Sequence, residues 1–431
     1  MRTIKQIREN LQEGKHDEQL AFLYCRPANQ VTRYRERMLG LLDNYLKVFR
    51  REDTSEVSVY SAPGRTELGG NHTDHQRGKV LTSSVDLDAL ACVSLNETGK
   101  VNIYSEGYGM ITVDCGALEC DPAEKNTTEA LVRGILAKVT EKGYHVSGFD
   151  AYIVSDVPGG SGLSSSACFE VLIGTAVNGM FCNGELSREE IAQIGQYAEN
   201  VYFGKPSGLL DQMGCAMGGI IAIDFGKKED VICKLVNFDF AAAGYVLCII
   251  DTGADHADLT DEYAAVPSEM KNVAAVFGKE VLAEVEEETF YTNIPLVREK
   301  AGDRAVLRAI HYYNDCKRVE QQVEALEGND FDTFLKLVKE SGSSSFMYLQ
   351  NVETFRDHSK QPVAIALAFA EHFLDGKGAF RVHGGGFAGT IQAFVPLGDV
   401  TEFKANMDAI LGEGSCRITY IRPVGGYTII E

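Results

Sequence analysis

Three glycine-rich segments gather the residues best able to do chemistry. The sharpest runs Asp156-Val157-Pro158-Gly159-Gly160-Ser161-Gly162-Leu163-Ser164-Ser165-Ser166-Ala167, between a β-branched run and a helical pattern. Glycines let a backbone approach a ligand closely, and free N–H groups with the positive dipole end of a helix start favour an anion such as phosphate. Serine hydroxyls there can reach phosphate or a magnesium ion. A plain connection capped by serine needs that hydroxyl once, whereas three serines in a row stand here. Neither GxxxxGK[ST] nor GxGxxG occurs, so neither the P-loop nor the dinucleotide fingerprint is supported.

The second segment, Ala62 to Lys79, contains Gly64, Arg65, Gly69, Gly70, Asn71, His72, Thr73, Asp74, His75, Gln76, Arg77 and Gly78. Asn, His, Asp and Gln can together satisfy the hydroxyls of a polyol through paired donor and acceptor contacts. His72, Asp74 and His75 are also metal-ligand types, but no further His or Cys stands at a telling spacing. The third segment, Phe380-Arg381-Val382-His383-Gly384-Gly385-Gly386-Phe387-Ala388-Gly389, taken alone reads as a tight turn or close backbone packing. Asp251-Thr252-Gly253 occurs once, without the second such carboxylate an aspartic protease needs, and reads as strand-end structure.

Elements that could position these segments follow from periodicity. Helical spacing is expected from Ile4 to about Arg51, then over Glu129–Lys142, Ser164–Met180 and Arg188–Phe203. Short β-branched runs predict strands at Val57–Tyr60, Leu87–Val93, Val101–Tyr104, Ile111–Val113 and Ala151–Val154. Further strands are expected at Ile220–Ile223, Val236–Phe240, Tyr245–Ile250, Phe380–His383 and Arg417–Ile421, with helices over Asp261–Phe277, Arg304–Ala325 and Phe331–Lys339. The expected division is two domains, 1–220 and 221–431.

The 431 residues give ample length for a buried core, and 45% hydrophobic with 24% charged residues is an ordinary globular composition. The net charge of -21 repels polyanions and anionic membrane surfaces, so nucleic acid and membrane are poor partners. The 11 cysteines are scattered singly with no CxxC pair, which reads as reduced thiols in a cytoplasm, and no apolar run suggests a signal or spanning segment.

Taken together in this order, the three segments resemble the motifs of the GHMP small-molecule kinases, and among these the galactokinases. Gly64 through Gly78 matches, without a gap, the signature GRVNLIGEHTDYNGG; Gly64, Arg65, Leu68, Gly70, His72, Thr73, Asp74 and Gly78 agree. Gly160 to Ala167 is similar to the second motif. Ala198-Glu199 with Gly204, Pro206, Gly208 and Leu210-Asp211-Gln212 resembles the stretch AE-x4-G-x-P-x-G-[IL]-x-D-Q. The resemblance implies an α+β, two-domain GHMP kinase fold with mixed β-sheets and helices and an active site in the cleft between domains. It implies an ATP-dependent sugar 1-kinase acting on galactose, with ATP and Mg2+ required and no obligate protein partner evident.

By position, the resemblance implies that Asp211 is the catalytic base and Arg65 its positive partner. Ser166 and Glu199 take the magnesium-ligand positions, and Gly160, Ser161, Gly162, Leu163, Ser164, Ser165 and Ser166 form the phosphate loop. Asn71, His72, Asp74 and Tyr263 take sugar-contact positions. Two departures stand out: Asn71 replaces the signature's glutamate and His75 its tyrosine. A neutral Asn71 would no longer repel a carboxylate at C6, and a partly protonated His75 or Arg77 facing the pocket would favour it, so galacturonate or another galactose-configured sugar is the alternative substrate. A non-catalytic sugar and nucleotide sensor is a further alternative, but the serine run, Arg65 and Asp211 are all intact.

Overall fold

The computed structural model describes residues 1–159, 162–226, 231–254 and 259–431. Among these residues the strands, in chain order, are β1 (Arg2–Thr3), β2 (Glu56–Gly69), β3 (Lys79–Leu95), β4 (Lys100–Ser105), β5 (Gly109–Asp114), β6 (Phe149–Ser155), β7 (Ile220–Asp224), β8 (Ile232–Val236), β9 (Tyr245–Asp251), β10 (Ala379–His383), β11 (Thr390–Pro396), β12 (Cys416–Thr419) and β13 (Tyr427–Ile430). One sheet has the order β1-β2-β3-β6-β4-β5, with β13 paired to β2, and with β7 paired to β3 and β8. The second sheet has the order β10-β11-β9-β12. All pairings are antiparallel except β4 with β6, so the fold is α+β with a mixed first sheet.

The strands β2 and β3 are buried along nearly their whole length because both faces of their sheet are covered. Side chains alternate across a strand. Ala89, Ala91 and Val93 therefore join the core under the helices Thr128–Glu141, Ser165–Phe181 and Arg188–Tyr197. Leu90 and Cys92 face the opposite way, toward the opening helices Ile4–Gln12, Asp17–Tyr24 and Thr32–Phe49. The register of β2 against β3 shifts between Pro63 and Arg65 and again between Glu67 and Gly69. Such irregularities re-aim side chains, and Arg65 lies between them.

The expected boundary at residue 220 does not separate the sheets. Strands β7, β8 and β13 all hydrogen-bond into the first sheet, and the change to the second comes between Val236 and Tyr245. The strand expected at Val236–Phe240 lies earlier, at Ile232–Val236. Its outward positions Ile232 and Leu235 are exposed, while Phe238 and Phe240 leave the strand to stack with Phe331, Phe334 and Phe394. The helices Leu210–Met217, Pro362–Leu374 and Val400–Leu411 and the strands β11 and β13 were not anticipated by periodicity. No helix among the described residues is long and apolar enough to cross a membrane.

One buried carboxylate ties distant parts of this frame together. Asp88, on β3, accepts hydrogen bonds from the Tyr24 hydroxyl at 2.8 Å, Ser61 at 2.5 Å, Arg37 at 2.5 Å and Arg422 at 3.0 Å. Burial works to raise its pKa, but the charges of Arg37 and Arg422 outweigh that and hold it below the usual range. Replacing Asp88 by Ala leaves the fully buried Arg422 uncompensated, at a cost of about 3–5 kcal/mol. Ser61→Ala, which leaves both charges paired, costs about 1 kcal/mol. Urea denaturation midpoints should fall in that order.

Candidate active site

Arg65 and Asp211 meet where β2 faces the start of the helix Leu210–Met217. The Arg65 Nε and Nη2 donate to Asp211 Oδ1 at 2.9 and 2.7 Å, and Nη1 donates to the Gly162 carbonyl. The arginine side chain is 8% exposed and the aspartate 35%, so the cation is fixed in the wall while the carboxylate opens outward. Burial works to raise the Asp211 pKa. The charge of Arg65 and the hydrogen bonds from Ser164 and Arg65 prevail and hold it below the usual range.

Ser164 immediately precedes the helix Ser165–Phe181, yet its hydroxyl makes no capping bond; it donates to Asp211 Oδ2 at 2.7 Å. Its φ of 57° is left-handed, a strained value for a non-glycine residue that recurs at functional sites. The triple serine is thus not a cap. Leu163 is buried and its carbonyl accepts from the Arg65 N–H at 3.1 Å, which pins the loop to β2. Ser165 and Ser166 open the helix with Gly162 just before it; Gly160 and Ser161 lie outside the described residues.

Glu199 stands in the π-helical turn Ala198–Phe203. Its Oε1 accepts from Lys205 at 2.9 Å and its Oε2 from Ser207 at 2.5 Å and Gln212 at 2.9 Å. A carboxylate offers about four lone-pair sites, so Oε1 retains one. A serine hydroxyl and one carboxylate are hard oxygen donors, few in number. That donor set suits a Mg2+ that keeps waters and substrate phosphates as its other ligands, so Ser166 and Glu199 fit the ion.

The second glycine-rich segment starts as the end of β2 and, after Gly69, turns through a loop and the short 3-10 turn Asp74–Gln76 into β3. Asp74 abuts Gly208, where a Cβ would come within 2.2 Å of its Oδ2. Burial first, and then the charge of Asp211, push the Asp74 carboxyl up to about 6. His72 Nε2 lies 2.9 Å from the Gly385 carbonyl, and burial lowers its pKa. Tyr263, on the helix Thr260–Val276, donates its hydroxyl to the Gly386 carbonyl at 2.9 Å. Its ring lies so close to Gly385 that a Cβ there would stand 1.9 Å from it. The third segment is therefore the seat of both His72 and Tyr263, beyond the plain turn expected. Asp251 caps its own strand end by accepting from the Gly253 N–H.

Three expectations about charge near the sugar are corrected. Asn71 is fully buried and every polar atom of its side chain is used. Its Nδ2 donates to Glu67 Oε1 at 3.0 Å and to the Gly384 carbonyl at 2.7 Å, and its Oδ1 accepts from Asn351 at 2.8 Å and Ser345 at 3.2 Å. His75 is not partly protonated near neutrality, because burial holds its pKa well below the usual value. Arg77 is engaged by Glu284 at 2.8 Å and Glu280 at 3.0 Å. These contacts remove the support for a uronic acid.

Glu67 was missed. Aligned with the signature GRVNLIGEHTDYNGG, it occupies the asparagine position while Asn71 occupies the glutamate position. The chain has exchanged amide and carboxylate, and the two remain hydrogen-bonded. The carboxylate is balanced by fully buried Arg381, which donates to Glu67 Oε1. The signal was present in the aligned residues. Glu170 and Asn351 were also missed, and single acidic or amide residues on helices and loops gave no pattern to find them by; Gln212 stood in the quoted motif but without a role.

Known proteins agree with this geometry. A family model described as the GHMP kinases N terminal domain matches residues 130–219, and the galactokinase galactose-binding signature matches residues 43–95. A galactokinase of Streptomyces coelicolor is 30% identical over 362 residues, 83% of this chain and 89% of the relative. One of Streptococcus suis is 28% identical, covering 89% of this chain and 96% of its own length. The crystal structure of Lactococcus lactis galactokinase complexed with galactose superposes with a TM-score of 0.77 at 26% identity, covering 91% of this chain and 99% of that one. A mevalonate kinase structure, at 17% identity and a TM-score of 0.59, shares the fold. With the Arg65–Asp211 pair, the serine loop and the Asp74 loop gathered on that fold, the chain belongs to the galactokinase family of GHMP kinases.

Proposed function

We propose that the chain transfers the γ-phosphoryl group of ATP to the C1 hydroxyl of galactose, giving galactose 1-phosphate and ADP. The observation that carries this reading is the Arg65–Asp211 pair beside the serine loop. Asp211 Oδ1 already accepts two N–H groups of Arg65, whereas among the described residues Oδ2 accepts the Ser164 hydroxyl alone. The remaining lone pair on Oδ2 is the acceptor for the C1 proton. Arg65 keeps Asp211 ionised and steadies the attacking oxygen as charge builds on it.

The phosphate loop, Gly160 to Ser166, would cradle the nucleotide phosphates at the helix start. Ser166 and Glu199 would hold magnesium, which would supply positive charge to offset that of the nucleotide phosphates. A protein of net charge -21 offers ATP no favourable long-range field, so this local charge and Arg65 must suffice. His72, Asp74 and Tyr263 are the proposed galactose contacts; Asn71 serves the loop behind them. The 11 cysteines without disulfide partners and the need for ATP support a cytoplasmic setting.

ADP release from purified protein with Mg-ATP, offering galactose, galacturonate, N-acetylgalactosamine, L-arabinose and glucose beside a no-sugar control, tests the reading. Galactose should be turned over best, and chelation by EDTA should abolish turnover until magnesium is restored. Release with no sugar, or with galacturonate alone, overturns it. Asp211→Asn should cut kcat by about two orders of magnitude or more while calorimetry still detects galactose binding.

A further expectation concerns pH. Asp74 gains a proton as pH falls through about 6 and then offers one acceptor fewer to the sugar. The profile of log kcat/KM, which reports the free enzyme, should bend downward below about 6. In Asp74→Asn this bend should vanish at a lower plateau.

A further inference from the structure

Behind Glu199 lies a second carboxylate that the reaction does not use. Glu170 stands one helical turn beyond Ser166 on the helix Ser165–Phe181 and is fully buried. Positions four apart share a helix face, so Glu170 lies beneath the serine that fits the metal. The side-chain amide of Gln212, also fully buried and adjacent in sequence to Asp211, joins the two carboxylates. Its Nε2 donates to Glu170 Oε2 and to Glu199 Oε2, each at 2.9 Å.

That bridge fixes which way the amide faces. Turned over, Gln212 would present its carbonyl oxygen to Glu199 Oε2, losing both N–H bonds and adding repulsion with that carboxylate. With Glu170 in place both N–H bonds are committed, and Glu199 Oε2 is held. The opposite oxygen, Oε1, is left to the exposed side of the site, where its partner Lys205 is 55% exposed. The second oxygens of Glu170 and Gln212 are buried without a hydrogen bond, so the pair has little else to hold it. Burial, and then the charge of Glu199, raise the Glu170 carboxyl well above the usual range.

We infer that Glu170 is a positioning residue: through the Gln212 amide it orients the Glu199 carboxylate for the nucleotide-bound metal. The inference rests on the proposed role of Glu199. It requires reach and an acceptor oxygen at residue 170, not a charge.

Binding of Mn2+ in the presence of a non-hydrolysable ATP analogue, followed by electron paramagnetic resonance, reads this without turnover. Glu170→Gln keeps length and acceptor and should bind Mn2+ within about two-fold of the wild type. Glu170→Asp withdraws the acceptor by one methylene and should weaken Mn2+ by about ten-fold or more, the usual scale for a residue behind a metal ligand. Galactose affinity, measured by calorimetry, should stay within two-fold in both. Glu199→Gln separates the two readings. If it leaves Mn2+ affinity unchanged, the role of Glu199 fails; if it weakens Mn2+ while Glu170→Asp does not, the role of Glu170 fails. Equal losses in Glu170→Asp and Glu170→Gln overturn it as well.

Discussion

The loop that carries His72 and Asp74 has no long strand or helix of its own to hold it, and its place depends on the buried side chain and backbone of Asn71. The Asn71 N–H donates to Asp315 at 2.8 Å and its carbonyl accepts from His311 at 2.8 Å, both on the helix Asp303–Glu327. Its side chain reaches Glu67 on β2, Gly384 after β10, and Ser345 and Asn351 beyond the helix Phe331–Ser344. One residue thus joins the first sheet to the helices and sheet of the second half. In a low-dielectric interior a satisfied network of this kind is rigid, and a partly satisfied one is costly. The separation of the two walls of the active site follows from it.

Within that frame the chemistry depends on two carboxylates pushed in opposite directions. Asp211 is held ionised by Arg65 and Ser164, while Asp74, buried and facing that charge, rises to about 6. Neighbouring groups whose environments separate their pKa values divide the labour between them. In the proposed reaction Asp211 would take the proton, and Asp74 would serve the sugar hydroxyls. The surrounding histidines add no charge, because burial keeps His72, His75 and His383 neutral.

The sequence was legible where information is local. The three glycine-rich segments and the Asp211 stretch converge on one site, and most strands lie where β-branched runs placed them. It was misleading where meaning depends on what a side chain faces. Asn71 and Arg77 suggested a pocket for a carboxylate, but Asn71 is saturated by Glu67, Gly384, Ser345 and Asn351, and Arg77 is taken up by Glu280 and Glu284. Glu67 with Arg381, and Glu170 with Gln212, are separated by 314 and 42 residues, and no periodicity encodes such pairs.

The pairing of β13 with β2 has a consequence for the order in which the molecule is made. Tyr427 lies opposite Ser61, and Arg422 completes the charge balance of Asp88. Among the described residues, the one other strand on that edge of β2 is β1, which reaches Glu56 and Val57. During synthesis the first sheet therefore waits for the last residues, on the order of tens of seconds at about 5–20 residues per second. Throughout that interval an apolar strand edge and an uncompensated arginine site stand open, so chaperone capacity and translation speed should govern how much of the nascent protein reaches its native state.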